Sequence, residues 1–499
     1  MNLLPALPIL VPLVGALIAV LFRKAISFQK GVGIVTAALM CVVGGMLLVS
    51  AAASAAPLVL YMGGWQAPYG ITLVVDKFAA LMLFFGALLS LVVAVYACVD
   101  IDHERFRFGF VPLSLIMMMG VNGAFLAGDI FNLYVWFEVL LIASFVLLAL
   151  GGERRQMEGS VKYVTLNLLS SAFFLAGIGI LYGLAGTLNM AQLAEVVATS
   201  EHTAAIHLSA VLFLAGFGIK SGIFPLFFWL PASYPTPPAA VSALFSGLLT
   251  KVGVYALVRV FTLIFIADVS FTHGWLIVLG IFTMIIGVFG AASQFEIRSI
   301  LSFHIVSQIG YMILGLGLFS ELALAGVLFF LVHNMMAKSN LFLISGVIGR
   351  LKGTTQLKEL GGLYKEKPFL SVLFLLSAMA LAGLPPLSGF FAKLLLVMAA
   401  IEAKAWIAGG LSLFVGLLTL YSMTKIWSYG FWAADEREIS HIPSLSRGEQ
   451  WGLYVPIFFL SAGCLLLGVG YPYVIEYIEA AAAQLMQPHS YIEHVLGGK

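Results

Sequence analysis

The chain is short of charge. Only 10% of its 499 residues are Asp, Glu, Lys or Arg, against 62% that are hydrophobic, and the formal net charge is +2. With a mean hydropathy of +1.07 there is too little polar surface to cover a water-soluble fold, which places the chain among polytopic integral membrane proteins. The near-neutral balance carries no message about nucleic acid, and no nucleic-acid partner is expected. Cysteine is scarce as well: Cys41, Cys98 and Cys464 lie far apart in apolar runs, which argues against a disulfide framework or a metal cluster. No phosphate-binding glycine loop, HExxH zinc motif, CxxC pair or nucleophile elbow is present, so neither an enzyme active site nor a cofactor is expected. The first residues, MNLLPALPILVPLVGALIAVLF, lack a basic leader and a small-residue cleavage site, and read as a first span rather than a removed signal.

What the chain has is apolar length. Hydropathy marks about 14 stretches near the ~20 residues that a helix needs to cross the hydrocarbon, so the expected fold class is an all-α polytopic membrane protein. Residues 188–203 read as a short amphipathic surface helix. Basic residues cluster after odd spans: Arg23, Lys24 and Lys30; Arg105 and Arg107; Arg154 and Arg155; then Arg350, Lys352, Lys358, Lys365 and Lys367. Arg259 and Lys404, at span ends, are exceptions. The positive-inside rule therefore puts the loops after odd spans in the cytoplasm and both termini outside the cell membrane.

Against that background a few titratable groups stand out within the spans: Glu138, Lys220, Lys251, His304, His333, Lys338 and Lys393. A charge at mid-bilayer costs at least ~2.5–3.5 kcal/mol on insertion scales, so it is kept where it faces protein or water and is used. Such groups on successive spans read as an ion path. Two spans also carry helix breakers: span 7 (207–230) has Lys220 and then Pro225, and the overlong span 12 (368–401) has Pro385 and Pro386 followed by Lys393. Proline frees backbone carbonyls, which is tolerated at membrane depth only where neighbours or water satisfy them. The two breaks lie five spans apart, so the expected organisation is spans 1–3 (1–107), a five-helix repeat (108–260), an inverted five-helix repeat (274–432), then a cytoplasmic loop, span 14 and a tail (433–499). The halves are faintly similar, SGIFPL against AGLPPL.

Plainer readings stand beside these. Glu138 and Lys220 suit a static ion pair, His304 and His333 neutral hydrogen bonds between helices, and Lys251 and Lys338 snorkelling side chains. Asp129 and Lys162 sit at span starts, where capping or anchoring is the simpler role. The proline-rich loop 231–238 suits a turn.

Five stretches carry a resemblance: GDIFNLYVWFEVLLIASFVLL (128–148), KSGIFPLFFWLPASYPTPPAAVSALFSGLLTKVGVY (220–255), RSILSFHIVSQIGYM (298–312), HNMMAKSNLFLISG (333–346) and GLPPLSGFFAKLLL (383–396). Over roughly residues 70–430 the chain resembles the proton-translocating, antiporter-like subunits of respiratory complex I, and most of all the D-type branch found in Mrp multi-subunit sodium/proton antiporters. Phe227 and Tyr234 stand where complex I relatives typically carry histidines, which favours the exchanger branch. The resemblance implies a proton relay from Glu138 and Lys220 through Lys251, His304, His333 and Lys338 to Lys393. It implies partner subunits of the Mrp A, B, C, E, F and G types, with H+ and Na+ as the transported ions. The rival readings are a proton-pumping subunit of a complex I-like oxidoreductase or membrane hydrogenase, and a non-transporting scaffold.

Overall fold

A computed structural model describes residues 3–434 and 445–497; of the segment expected as a cytoplasmic loop after residue 432, positions 435–444 lie outside the described residues. The chain is a bundle of helices. Among the described residues, 12 helices are long and apolar enough to cross a membrane, and Phe110–Leu126 and Pro368–Ala382 are shorter apolar helices. Side chains on the outer helices point apolar groups outward, as Leu17, Val42, Ile142, Leu168 and Leu417 do. That is the pattern of a surface solvated by lipid.

The core is a set of three helices with almost no exposed surface: Ala239–Leu263, Ile297–Leu318 and Glu321–Lys352. They carry Lys251, His304, His333 and Lys338, so the expected ion-path residues occupy the interior rather than the lipid face. Lys251 and Lys338 are fully buried and do not snorkel.

Span 7 is broken, as its helix breaker implied: Thr203–Ser221 ends at Gly222, which adopts a left-handed backbone (φ 82°) open to glycine at little cost, and a short helix Trp229–Ser233 follows. Lys220 therefore sits in the last turn of a helix and not midway along one. The span expected at 452–475 is present as Arg447–Val469, shifted by about five residues, and a further helix, Tyr471–Met486, follows Gly470. A two-stranded antiparallel hairpin, Leu58–Tyr61 with Thr72–Val75, interrupts the helices and was not expected. Its strands hold β-branched and large residues, but eight residues with one turn give little periodicity to detect.

The overlong span 12 divides as its prolines demand. Pro368–Ala382 ends at Gly383, again left-handed (φ 93°), and Ser388–Glu402 resumes beyond Pro385 and Pro386. The amphipathic segment forms Met190–Thr199, with Met190, Ala191, Leu193, Ala194 and Val197 buried. Asp129 caps helix Ile130–Ala149 by accepting from the Phe131 and Asn132 N–H groups. Lys162 makes an exposed ion pair with Glu158.

Candidate ion pathway

Glu138, half-buried on Ile130–Ala149, and Lys220, buried at the end of Thr203–Ser221, meet through a third residue. The Ser171 hydroxyl donates to Glu138 Oε1 and accepts from Lys220 Nζ at 3.2 Å. The ammonium also lies 5.0 Å from the centre of the Phe137 ring, whose face attracts a cation. This geometry is neither a direct ion pair nor a separation. A hydroxyl that both donates and accepts can pass a proton between its neighbours by rotating.

The helices of Lys220 and Lys251 approach closely at the backbone. A Cβ at Gly253 would stand 2.9 Å from the Ser221 nitrogen and 3.2 Å from the Lys220 carbonyl carbon, so glycine there lets Ala239–Leu263 lie against the broken end of the Lys220 helix. Just before Lys251 the helix widens into a π-turn, Phe245–Leu249, and Lys251 Nζ donates to the Ser246 carbonyl at 2.5 Å. Such widened turns recur at functional sites because they release a carbonyl from the helical ladder.

Beyond Lys251 the groups converge. Lys338 interacts electrostatically with Lys251 and Lys393, and His333 with all three lysines. Lys338 Nζ donates to the Leu301 carbonyl (3.3 Å), one turn before His304. His333 Nδ1 pairs with Ser388 Oγ (2.8 Å), the first residue of the helix beyond the break in span 12. Lys393 reaches back across that break to donate to the Leu381 and Ala382 carbonyls at 3.0 and 2.8 Å. These are carbonyls at a helix C-terminus, the negative end of its dipole, and they hold a cation without a carboxylate.

Several polar atoms along this course are buried without a protein hydrogen-bond partner: Ser221 Oγ, Thr250 Oγ1, both ring nitrogens of His304, His333 Nε2, and the amide atoms of Gln308 and Asn334. Each such group costs about 1–3 kcal/mol if left unsatisfied. They are concentrated on the core helices, where Lys251, His304, His333 and Lys338 also lie. Ser171, Gln308, Asn334 and Ser388 were not singled out from the sequence. For Gln308 and Asn334 a signal was available, since an amide inside an apolar span is out of place for the same reason as a charge. Serine is too common in packed membrane helices to give one.

The fold and this interior define a class, a multi-span helical membrane protein with a buried row of titratable groups. The chain belongs to the family described as "NADH:quinone oxidoreductase/Mrp antiporter, TM", whose pattern matches residues 127–419. It is 45% identical to the D-type Na(+)/H(+) antiporter subunit of Alkalihalophilus pseudofirmus over 99% of this chain and 100% of that one. It is 40% identical to the D-type Na(+)/H(+) antiporter subunit of Bacillus subtilis, again over 99% and 100% of the two chains. Among solved structures it resembles a chain of the Mrp complex from Dietzia sp. DQ12-45-1b, with a TM-score of 0.88, 35% identity and full coverage of both chains. A chain of the membrane-bound sulfane sulfur reductase, an archaeal respiratory membrane complex, matches with a TM-score of 0.90 and 25% identity over 99% of each.

Proposed function

We propose that the chain is a proton-translocating subunit of a multi-subunit sodium/proton antiporter, and that protons move along Glu138, Lys220, Lys251, Lys338, His304, His333 and Lys393. The observation that carries this reading is the set of titratable groups buried on the three core helices, flanked by the Ser171 bridge at Lys220 and the carbonyl cradle of Lys393. The near-full-length relatives named as D-type antiporter subunits support the exchanger over a redox pump. Phe227 and Tyr234 point the same way: the first packs near Phe303 and the second is fully buried among Trp229 and Phe245.

A carboxylate near an ammonium strengthens the ammonium's hold on its proton, and separation weakens it. Small shifts of Glu138 relative to Lys220 then bias each transfer onward to Lys251. The broken helices at 222 and 383 belong to two five-helix units, 108–260 and 274–432, inverted with respect to one another. Both termini face outside the cell membrane; the hydrogen bond from Tyr61 OH to the Val495 carbonyl (2.8 Å) ties the last helix to the hairpin at that face. Among the described residues no group of three or more His, Cys, Asp or Glu side chains could hold a metal ion. The D-type relatives and the likeness to a chain of the Mrp complex support a hetero-oligomer as the unit that exchanges sodium.

The test is energetic. Moving one charge across 100 mV is worth about 2.3 kcal/mol, so an antiporter needs a gradient and no electron donor. Vesicles carrying the whole complex, given only an artificial proton gradient, should lose part of it when sodium is added, with NADH, hydrogen and quinone making no difference. Proton movement that appears only with a redox substrate would sink the reading in favour of the pump.

A further inference from the structure

Arg259 breaks the loop-charge pattern, and its surroundings explain why it is not a surface residue. It lies eight positions after Lys251 on Ala239–Leu263, with Tyr255 midway, so the three occupy neighbouring turns of one helix flank. Arg259 Nη1 donates to Asp76 Oδ2 at 2.6 Å and Nη2 to the Tyr255 hydroxyl at 3.0 Å; that hydroxyl donates to the Phe125 carbonyl at 2.6 Å. Arg259, Asp76 and Tyr255 are all buried. Tyr491, on the last helix, covers the pair with its ring centre 5.4 Å from the guanidinium carbon. The Tyr491 hydroxyl is buried without a protein partner, and it interacts electrostatically with Arg259, Asp76, Tyr255 and Asp129.

Eight residues at ~1.5 Å each span ~12 Å, close to half of a ~30 Å hydrocarbon core. The polar stripe therefore runs from the depth of the central row to the membrane face that carries the hairpin. An ion pair made only to hold helices calls for no further polar atoms. Here the unpartnered Tyr491 hydroxyl is added to it.

We propose that Tyr255, the Asp76–Arg259 pair and Tyr491 line a branch passage by which protons pass between Lys251 and that membrane face, closed on the outside by the C-terminal helix Pro488–Val495. Arg259 does not give up its proton near neutral pH, so it acts as a fixed countercharge. With Asp76 it presents a pair of no net charge, past which hydrated protons move by way of the two tyrosine hydroxyls. The proposal rests on the proton-relay reading and gives the middle of the row its own connection to that face.

The experiment uses the assembled complex in vesicles. Tyr491→Phe keeps the ring over Arg259 and removes only the hydroxyl; we expect sodium-dependent proton flux to fall about three- to tenfold, the effect of losing one hydrogen-bonding group on the path, with assembly and melting temperature unchanged. Unchanged flux overturns the proposal. A second measurement does not depend on flux: a small cationic methanethiosulfonate reagent, applied from each face, should label Tyr255→Cys from one face only and leave Val258→Cys, equally buried on the same helix, unlabelled. No label at position 255, or equal label at 258, also overturns it. Failure of the relay reading would show instead as normal flux in Lys220→Ala, an outcome that leaves the labelling pattern untouched.

Discussion

The two halves of the buried row hold their lysines by different means. In the first, Lys220 is the last-turn residue before a break, and a carboxylate reaches it through the Ser171 hydroxyl. In the second, Lys393 lies beyond a break and turns back onto two free carbonyls, while no carboxylate pairs with it among the described residues. The helices beyond the two breaks differ as well: one of 5 residues after Gly222, against one of 15 after Gly383. A carboxylate is a movable countercharge whose approach changes proton affinity, whereas helix-end carbonyls are a fixed dipole. In the proposed relay the first half switches and the second receives.

Substitutions can break that contrast, and the largest effects belong to the charges. Glu138→Gln and Lys220→Ala should each abolish sodium-dependent proton flux in vesicles while the complex still assembles; near-normal exchange in either would show that the pair is a static brace. At the other end Lys393→Ala should block flux, and Lys393→Arg should fail too, because a guanidinium keeps its charge and cannot release a proton near neutral pH. Full activity of the arginine variant would mean that the carbonyl cradle needs only a cation.

Ser171→Ala should come next, cutting flux about tenfold, since a hydrogen bond to a charged group is worth ~1.5–3 kcal/mol and part of it is replaced by water. A double-mutant cycle with Glu138→Gln checks the bridge: additive losses would separate the serine from the carboxylate. Gly253→Ala tests how the Lys251 helix seats against the Lys220 helix. Its Cβ would press on backbone of Ser221 and Lys220, so thermal stability of the complex should drop by about 1–3 kcal/mol, as overpacking typically costs. The smallest effect is expected of Lys162→Ala, which removes an exposed pair with Glu158 on the lipid-side helix Arg154–Ala185 and should leave flux and melting unchanged.

Much of this molecule was legible because membrane insertion penalises exceptions. A lysine or histidine in an apolar run must be explained, so Lys251, His304, His333 and Lys338 could be singled out, and all four are buried on the core helices. Pro385 and Pro386 divided an overlong span for a backbone reason readable without a fold. Less could be read where the signal lay in distance. Arg259 looked like a span-end charge because its partner Asp76 is 183 positions away. The covering residue Tyr491 lies in a C-terminal helix that hydropathy did not mark.

The sequence by itself determined the class, the apolar stretches, the places where helices must break and which ionisable groups had to be buried. Each of these depends on the local cost of polar atoms in hydrocarbon, a property of a residue and its near neighbours along the chain. Only the tertiary structure decided that Ser171 stands between Glu138 and Lys220, that Lys393 faces carbonyls rather than a carboxylate, and that Arg259 pairs with Asp76. Those are choices of partner between helices, made by packing at a few ångströms across long stretches of sequence, where no periodicity or hydropathy carries the information.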